Sequence, residues 1–270
     1  MIIADYHVHS HFSSDSTASV ESMVEKAISL GMKKICFTDH MDYDYPAQYG
    51  LSFTFDPDEY FKDLDRITQK YKAKIKVLKG IELGLQPHLA VRYQKLLARY
   101  DFDFAIGSSH LIKGLDPYYP EFWEDKTPEE GLNLYFQSII DNIKAFTQYQ
   151  VYGHLDYIVR YVPDKNFIYI YEKYGDIIDE VLKTIISHGL GIEVNTSGLK
   201  YGLGFTHPKE AIIKRYKELG GEIITIGSDG HKPEHLGYDF AKTEQLLLSQ
   251  GFRYYTTFEK KKPVFMRLGE

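Results

Sequence analysis

The sequence has little sulfur, no long apolar run and no excess of positive charge, and each shortage excludes something. Among 270 residues there is one cysteine, Cys36. It has no partner for an internal disulfide, and in the apolar run KKICFT it reads as a small buried residue in a reducing compartment. No stretch approaches the roughly 18 consecutive apolar residues of a membrane span. The start, MIIADYHVHS, lacks the basic flank and apolar length of a secretory leader, so the expectation is a cytoplasmic protein with no membrane partner. Lys and Arg number 32 against 38 Asp and Glu, a formal net charge of −6 with both signs interspersed. A nucleic-acid surface wants a basic stripe, so this balance argues against nucleic acid and for small partners. Linkers, low-complexity tracts and internal repeats are missing too. Residues 1–270 therefore read as one domain, a size that a single barrel-type core supports.

Short apolar runs alternate with amphipathic stretches of helix length. The strand candidates are MIIADY, KKICFT, IKVLKGI, FDFAIGS, VYGHLD, LGIEVN and EIITIGS. Between them, Val20, Met23, Val24, Ala27 and Ile28 repeat on one helical face, with Gly31 placed to cap it. Asp56, Pro57 and Glu59 form an N-terminal capping pattern, and Thr127, Pro128 and Glu130 repeat it. Pro208 and Gly220 bracket another helix. Strand followed by helix, seven times over, implies parallel strands with crossover helices: an α/β barrel or a doubly wound sheet. The stretch HLIKGLDPYYPEFWEDKTP breaks this rhythm, and its aromatic residues make it a candidate lid or substrate wall, or a loop that packs on the surface. The tail FRYYTTFEKKKPVFMRL reads as a late strand or a peripheral hairpin.

Ionisable residues gather at the C-terminal ends of these strands. The first offers Asp5, His7 and His9, with Asp15 further on. The second ends in Asp39 and His40, the third in Glu82 and the fourth in His110. The fifth carries His154 and Asp156, the sixth Glu193 and Asn195, the seventh Asp229 and His231. In parallel α/β folds these ends share one rim, where active sites are built. Imidazoles and carboxylates without thiolates suit Zn, Fe or Mn. This many ligand candidates can hold two or three ions with a carboxylate such as Glu82 between them, a usual solution to phosphoester cleavage. His88, His188, His207 and His235 lack a matching context and read as structural. His11 lies one alternation beyond His9 and could face solvent.

DYHVHSHFS, TDH, GIE, SSH, GHLD and SDGH occur in the order and spacing of the polymerase and histidinol phosphatase (PHP) family, which the chain resembles over its whole length. Within the family it looks most like the monofunctional histidinol phosphatases, on its length, on the aromatic insert after SSH and on GHLDYIVRY. The resemblance implies a distorted (β/α)7 barrel with three divalent transition-metal ions, Zn, Fe or Mn, at the C-terminal rim. It implies one ion on His7, His9, Glu82 and Asp229, a second on Glu82, His110 and His154, and a third on His40, His231 and Asp15. Many relatives have a histidine where Asp15 stands. Asp5 would orient a ligand histidine, or make structural hydrogen bonds only.

The activity implied is hydrolysis of the phosphomonoester histidinol phosphate, a small phosphorylated substrate of histidine biosynthesis. Arg160 is placed to offer a bidentate fork to phosphate, or to form a surface salt bridge. Asp15 is a candidate proton donor to the leaving alkoxide. Asn195 could hydrogen-bond substrate or close a turn, and Tyr118, Tyr119 and Trp123 could wall the substrate. The alternatives are the same chemistry on a nucleotide, sugar phosphate or phosphotyrosine protein, and a non-catalytic metal-binding module.

Overall fold

A computed structural model of the chain describes residues 1–269. The first half runs β1 (Ala4–Val8), α1 (Val20–Ser29), β2 (Lys34–Phe37), β3 (His40–Met41), α2 (Pro57–Tyr71), β4 (Lys76–Gly84), α3 (Ala90–Arg99) and β5 (Phe104–Ser108). It continues through α4 (Pro120–Trp123), α5 (Pro128–Ala145), β6 (Val151–Tyr152), α6 (Tyr171–Ser187), β7 (Gly191–Asn195) and α7 (Ser197–Lys200). The chain ends with α8 (Glu210–Glu218), β8 (Ile224–Gly227), α9 (Phe240–Ser249), β9 (Tyr254–Glu259) and β10 (Lys262–Arg267).

Seven strands pair in parallel in the order β1-β2-β4-β5-β6-β7-β8, with the short β3 alongside the upper end of β4. The ring nearly closes. His9 N–H donates to the Gly230 carbonyl (2.9 Å) and Gly230 N–H to that of His7 (3.2 Å), joining the end of β1 to the segment after β8. Helices cover the outside, so the strands are buried on both faces, and β1, β5, β7 and β8 are buried throughout. The result is the expected α/β barrel, nearly closed.

Local chemistry sets the helix ends. Ser19 caps α1 by accepting Ser22 N–H, and Gly31 ends it at φ +75°. Thr127 and Glu130 form a reciprocal capping box on α5. At α2 the box expected from Glu59 is only half made: Asp56 accepts Asp58 N–H, and no return bond from Glu59 accompanies it. The tail is an antiparallel hairpin, β9–β10, and it seals the lower mouth of the barrel. Tyr6 Oη donates to the Phe258 carbonyl (2.7 Å) and accepts Phe258 N–H (2.9 Å). Phe104 packs against both rings, with its centroid 5.2 Å from each. With the bottom filled, only the opposite rim is left for chemistry.

Candidate metal centre

Glu82 stands at the middle of the rim, almost fully buried. Register places it beside His40 on β3 and Ile106 on β5. One carboxylate oxygen lies 3.2 Å from His7 Nε2, 3.6 Å from His9 Nε2 and 3.0 Å from His40 Nδ1. The other lies 3.0 Å from His154 Nε2 and 3.3 Å from His110 Nε2, and also accepts the Ser108 hydroxyl (2.7 Å). Asp229 Oδ1 approaches His9 Nε2 (3.4 Å) and His7 Nε2 (3.9 Å) from the far side. Asp15 Oδ2 faces His231 Nε2 at 3.1 Å and His40 Nε2 at 3.8 Å. The His9 ring lies between those of His231 and His40, with centroids 4.0 and 4.3 Å away.

Ring positions follow from their outer nitrogens. His7 Nδ1 donates to Glu193 (2.6 Å) and His110 Nδ1 to Asp42 (2.6 Å). His9 Nδ1 donates to Ser13 Oγ (3.0 Å), whose own proton goes to Asp39 (2.8 Å). His231 Nδ1 donates to the Asp229 carbonyl (3.1 Å). Each bond fixes a tautomer that leaves an Nε2 lone pair pointing inward, as metal-ligating histidines require. The inward Nε2 atoms of His7, His9 and His231, with His40 Nδ1, are buried and make no hydrogen bond. Leaving so many acceptors unpaired would be costly in a site with no other purpose. They nevertheless sit 3.0–3.9 Å from carboxylate oxygens. Two ligands about 2.1 Å from one ion, at octahedral to tetrahedral angles, are about 3.0–3.4 Å apart. Imidazole nitrogen and carboxylate oxygen at these separations fit a divalent transition metal.

Residues 5–197 match the model of the PHP domain family. The chain belongs to that family. Curated relatives include histidinol-phosphatase of Lactococcus lactis subsp. lactis, 32% identical over 96% of this chain and 95% of the relative. A probable histidinol-phosphatase of Clostridium acetobutylicum is 35% identical over 88% and 90% of the two chains. The solved Lactococcus lactis histidinol phosphate phosphatase, complexed with zinc, L-histidinol and phosphate, superposes at a TM-score of 0.88. It is 31% identical and covers 97% of this chain and 98% of its own.

In this PHP domain burial is outweighed by neighbouring carboxylates at His7, His40 and His110, whose pKa values are raised. Burial alone would raise the Glu82 pKa, but His7, His110 and His40 hold it well below the usual range. Burial also works against Asp15 and Asp229, and the surrounding imidazoles again win, keeping both ionised. His9 is pushed the other way: burial, with His231 and His40 beside it, keeps its imidazole neutral, the form that ligates. The backbone is constrained at His154 (φ +21°) and Asp229 (φ +52°), a left-handed region that costs non-glycine residues on the order of 1–3 kcal/mol. Gly227 is obligatory in this geometry, because a β-carbon there would lie 2.3 Å from that of His7 and 2.4 Å from Glu193 Oε1.

All nine ligand candidates thus converge, while the other expected roles divide. His11 is exposed. Arg160 lies on a 3-10 turn three residues past Tyr157 and is partly buried. Among the described residues no carboxylate pairs with it, so the salt-bridge alternative is not realised. Its guanidinium lies 3.5 Å over the Tyr201 ring instead. Tyr118 is exposed and joins a row of rings, Tyr118–Tyr161–Tyr157, that reaches His154.

Three expected roles are not realised, and each residue takes its structural alternative instead. Trp123 is not a wall: it is buried, donates Nε1–H to the Pro117 carbonyl (2.8 Å) and packs on Gly131, anchoring the insert to α5. Asn195 is fully buried and its side chain is spent on Glu193 (3.2 Å) and Ser197 N–H (2.9 Å), so it braces the centre and does not meet substrate. Asp5 touches no imidazole. It accepts from Ser228 N–H and Oγ–H, Gly237 N–H and His7 N–H, tying β1 to the Asp229 turn.

Asp42 and Lys200 are among the residues that went unnoticed in the sequence. Asp42 holds His110, and its only signal is that it follows His40 by two positions, on the same side of an extended chain. Lys200 donates to the carbonyls of Asp229 (2.9 Å) and Ser228 (3.3 Å), and nothing in its sequence context announced that contact.

Proposed function

We propose that the chain is a metal-dependent phosphomonoesterase that hydrolyses histidinol phosphate to histidinol and phosphate. The observation that carries this reading is the inward-facing, unpaired imidazole nitrogens around Glu82, set beside an arginine with no carboxylate partner among the described residues. Its substrate rests on relatives of that activity matched over nearly the full chain. We assign His7, His9, Glu82 and Asp229 to one divalent ion, Glu82, His110 and His154 to a second, and His40, His231 and Asp15 to a third. Zn, Fe and Mn all suit this nitrogen and oxygen set. Bound there, such ions supply hydroxide at neutral pH and neutralise phosphoryl charge.

The chain's own residues do the rest. Arg160 has its in-plane N–H groups free to take two phosphate oxygens. Asp15, which His231 and His40 hold ionised against burial, is assigned as a ligand. The Tyr157–Tyr161–Tyr118 row offers π faces to an imidazole and a protonated amine. Asp116, buried beside it, accepts from Tyr45 Oη–H (2.6 Å) and Tyr118 N–H (2.8 Å), and burial raises its pKa. We take residues 1–270 as one catalytic unit, because the last hairpin closes on the first strand.

The test is phosphate release by metal-loaded protein from histidinol phosphate, p-nitrophenyl phosphate, sugar phosphates and nucleotides. A preference for histidinol phosphate of about two orders of magnitude or more in kcat/KM, some 2.7 kcal/mol, is expected. Equal slow turnover of every ester would sink the substrate assignment, and no turnover with metals bound would sink the enzyme.

A further inference from the structure

We propose that Tyr201 is a positioning residue that aims Arg160 at the phosphoryl group, an inference resting on the phosphatase reading above. Among the described residues Arg160 makes no hydrogen bond or ion pair to a protein acceptor. A free arginine side chain samples many rotamers and would have to be ordered by its ligand. Here the Tyr201 ring does that work in advance. The guanidinium carbon sits 3.5 Å from the ring centroid, whereas the Tyr161 centroid is 5.4 Å away. Stacking by its face satisfies the cation while leaving every N–H in the guanidinium plane unused, which is the edge a phosphate takes bidentately.

The ring is 46% exposed, and it is the backbone carrying it that is held. Tyr201 N–H bonds the Ser197 carbonyl (2.9 Å), and Leu203 N–H returns to that of Gly198 (2.9 Å). The preceding residue, Lys200, is fastened to the carbonyls of Ser228 and Asp229. Its ammonium is 4.9 Å from the same ring. The ring that carries Arg160 is therefore built onto the turn that carries the ligand-type Asp229. Phosphate arm and metal turn are thereby linked through Tyr201 and Lys200.

The experiment replaces Tyr201 by Leu, Phe and Trp, and measures kcat and KM on p-nitrophenyl phosphate and histidinol phosphate. Calorimetry gives the Kd of inorganic phosphate for the zinc-loaded protein, and metal content is measured on each variant. Tyr201→Leu is expected to raise KM for both esters and the phosphate Kd about five- to tenfold, the scale of a cation–π contact. The expected kcat stays within about threefold and the metal content stays unchanged. Phe and Trp, which keep a π face, should remain within about twofold of wild type. In an Arg160→Met background, Tyr201→Leu should add no further loss of phosphate affinity. The proposal fails if Leu leaves the phosphate Kd unmoved, if Phe is as damaging as Leu, or if the two substitutions are additive. Because inorganic phosphate reads the arm directly, these outcomes stand apart from whether histidinol phosphate is the preferred ester.

Discussion

At the residue scale, the centre works through pairs in which an outer carboxylate or hydroxyl sets an inner imidazole. Asp42 shows the logic best. Its Oδ2 takes the His110 Nδ1 proton at 2.6 Å, while its Oδ1 is buried with no hydrogen-bond partner. A β-carbon on Gly84 would lie 2.4 Å from the Asp42 carboxyl carbon, so the strand leaves room for this side chain alone. Replacing Asp42 by Asn keeps the volume but removes the charge that holds His110 in its ligating tautomer. Metal affinity, followed by competition with a chromophoric chelator, should fall about 10–100-fold, as outer-shell substitutions generally cause. An unchanged affinity would mean that His110 is held by packing alone.

At the element scale, helix–helix docking depends on a few polar links between otherwise apolar faces. Arg215 on α8 grips Asp179 on α6 through Nε (2.9 Å) and a terminal nitrogen (2.6 Å), with Tyr171 Oη–H donating to the same carboxylate (2.5 Å). Arg215 above all keeps the Asp179 carboxyl well below the usual carboxylate range. A depressed carboxylate stabilises the fold above its unfolded pKa of about 3.9 and loses that contribution as pH falls toward the folded value. Asp179→Asn should therefore cost about 1 kcal/mol at pH 7 in urea unfolding. The gap to wild type should narrow steadily below pH 4; a gap constant with pH would place the effect in packing. Neither residue stood out in the sequence, where they are 36 positions apart.

What was legible there was local or periodic. The capping box at Thr127 is written in four consecutive residues, and the nine rim residues could be found because parallel strands end together. Asp42 and Lys200 were not legible because their placement is tertiary. The chain carrying Asp42 is turned back by a bond from its own N–H to the Phe53 carbonyl (2.7 Å), and Lys200 reaches across from α7 to the β8 end. Trp123 misled for the opposite reason: an aromatic residue in a loop looks functional until its Nε1–H is seen to be satisfied inside that loop.

At the scale of the whole molecule, buried ligands make metal part of the stability. Ions that bind the folded barrel and not the open chain stabilise it by mass action, about 4 kcal/mol when free metal exceeds its Kd a thousandfold. Chelation should therefore lower the melting temperature by roughly 8–15 °C, and zinc should restore it in a calorimetric scan. An equal melting temperature with and without chelator would overturn the metal assignment.

The pairing of Tyr6 with Phe258 spans 252 residues. During synthesis, that distance becomes a delay. The first strand leaves the ribosome with its imidazoles, and the residues that will flank it arrive only when β8 and the last hairpin have emerged. At about 5–20 residues per second, the nascent chain spends on the order of 10–50 seconds with one edge of its sheet unpaired. Metal ions arriving in that interval meet His7 and His9 without Asp229 or His231. Completion of the proposed centre thus waits until the segment after β8 has emerged.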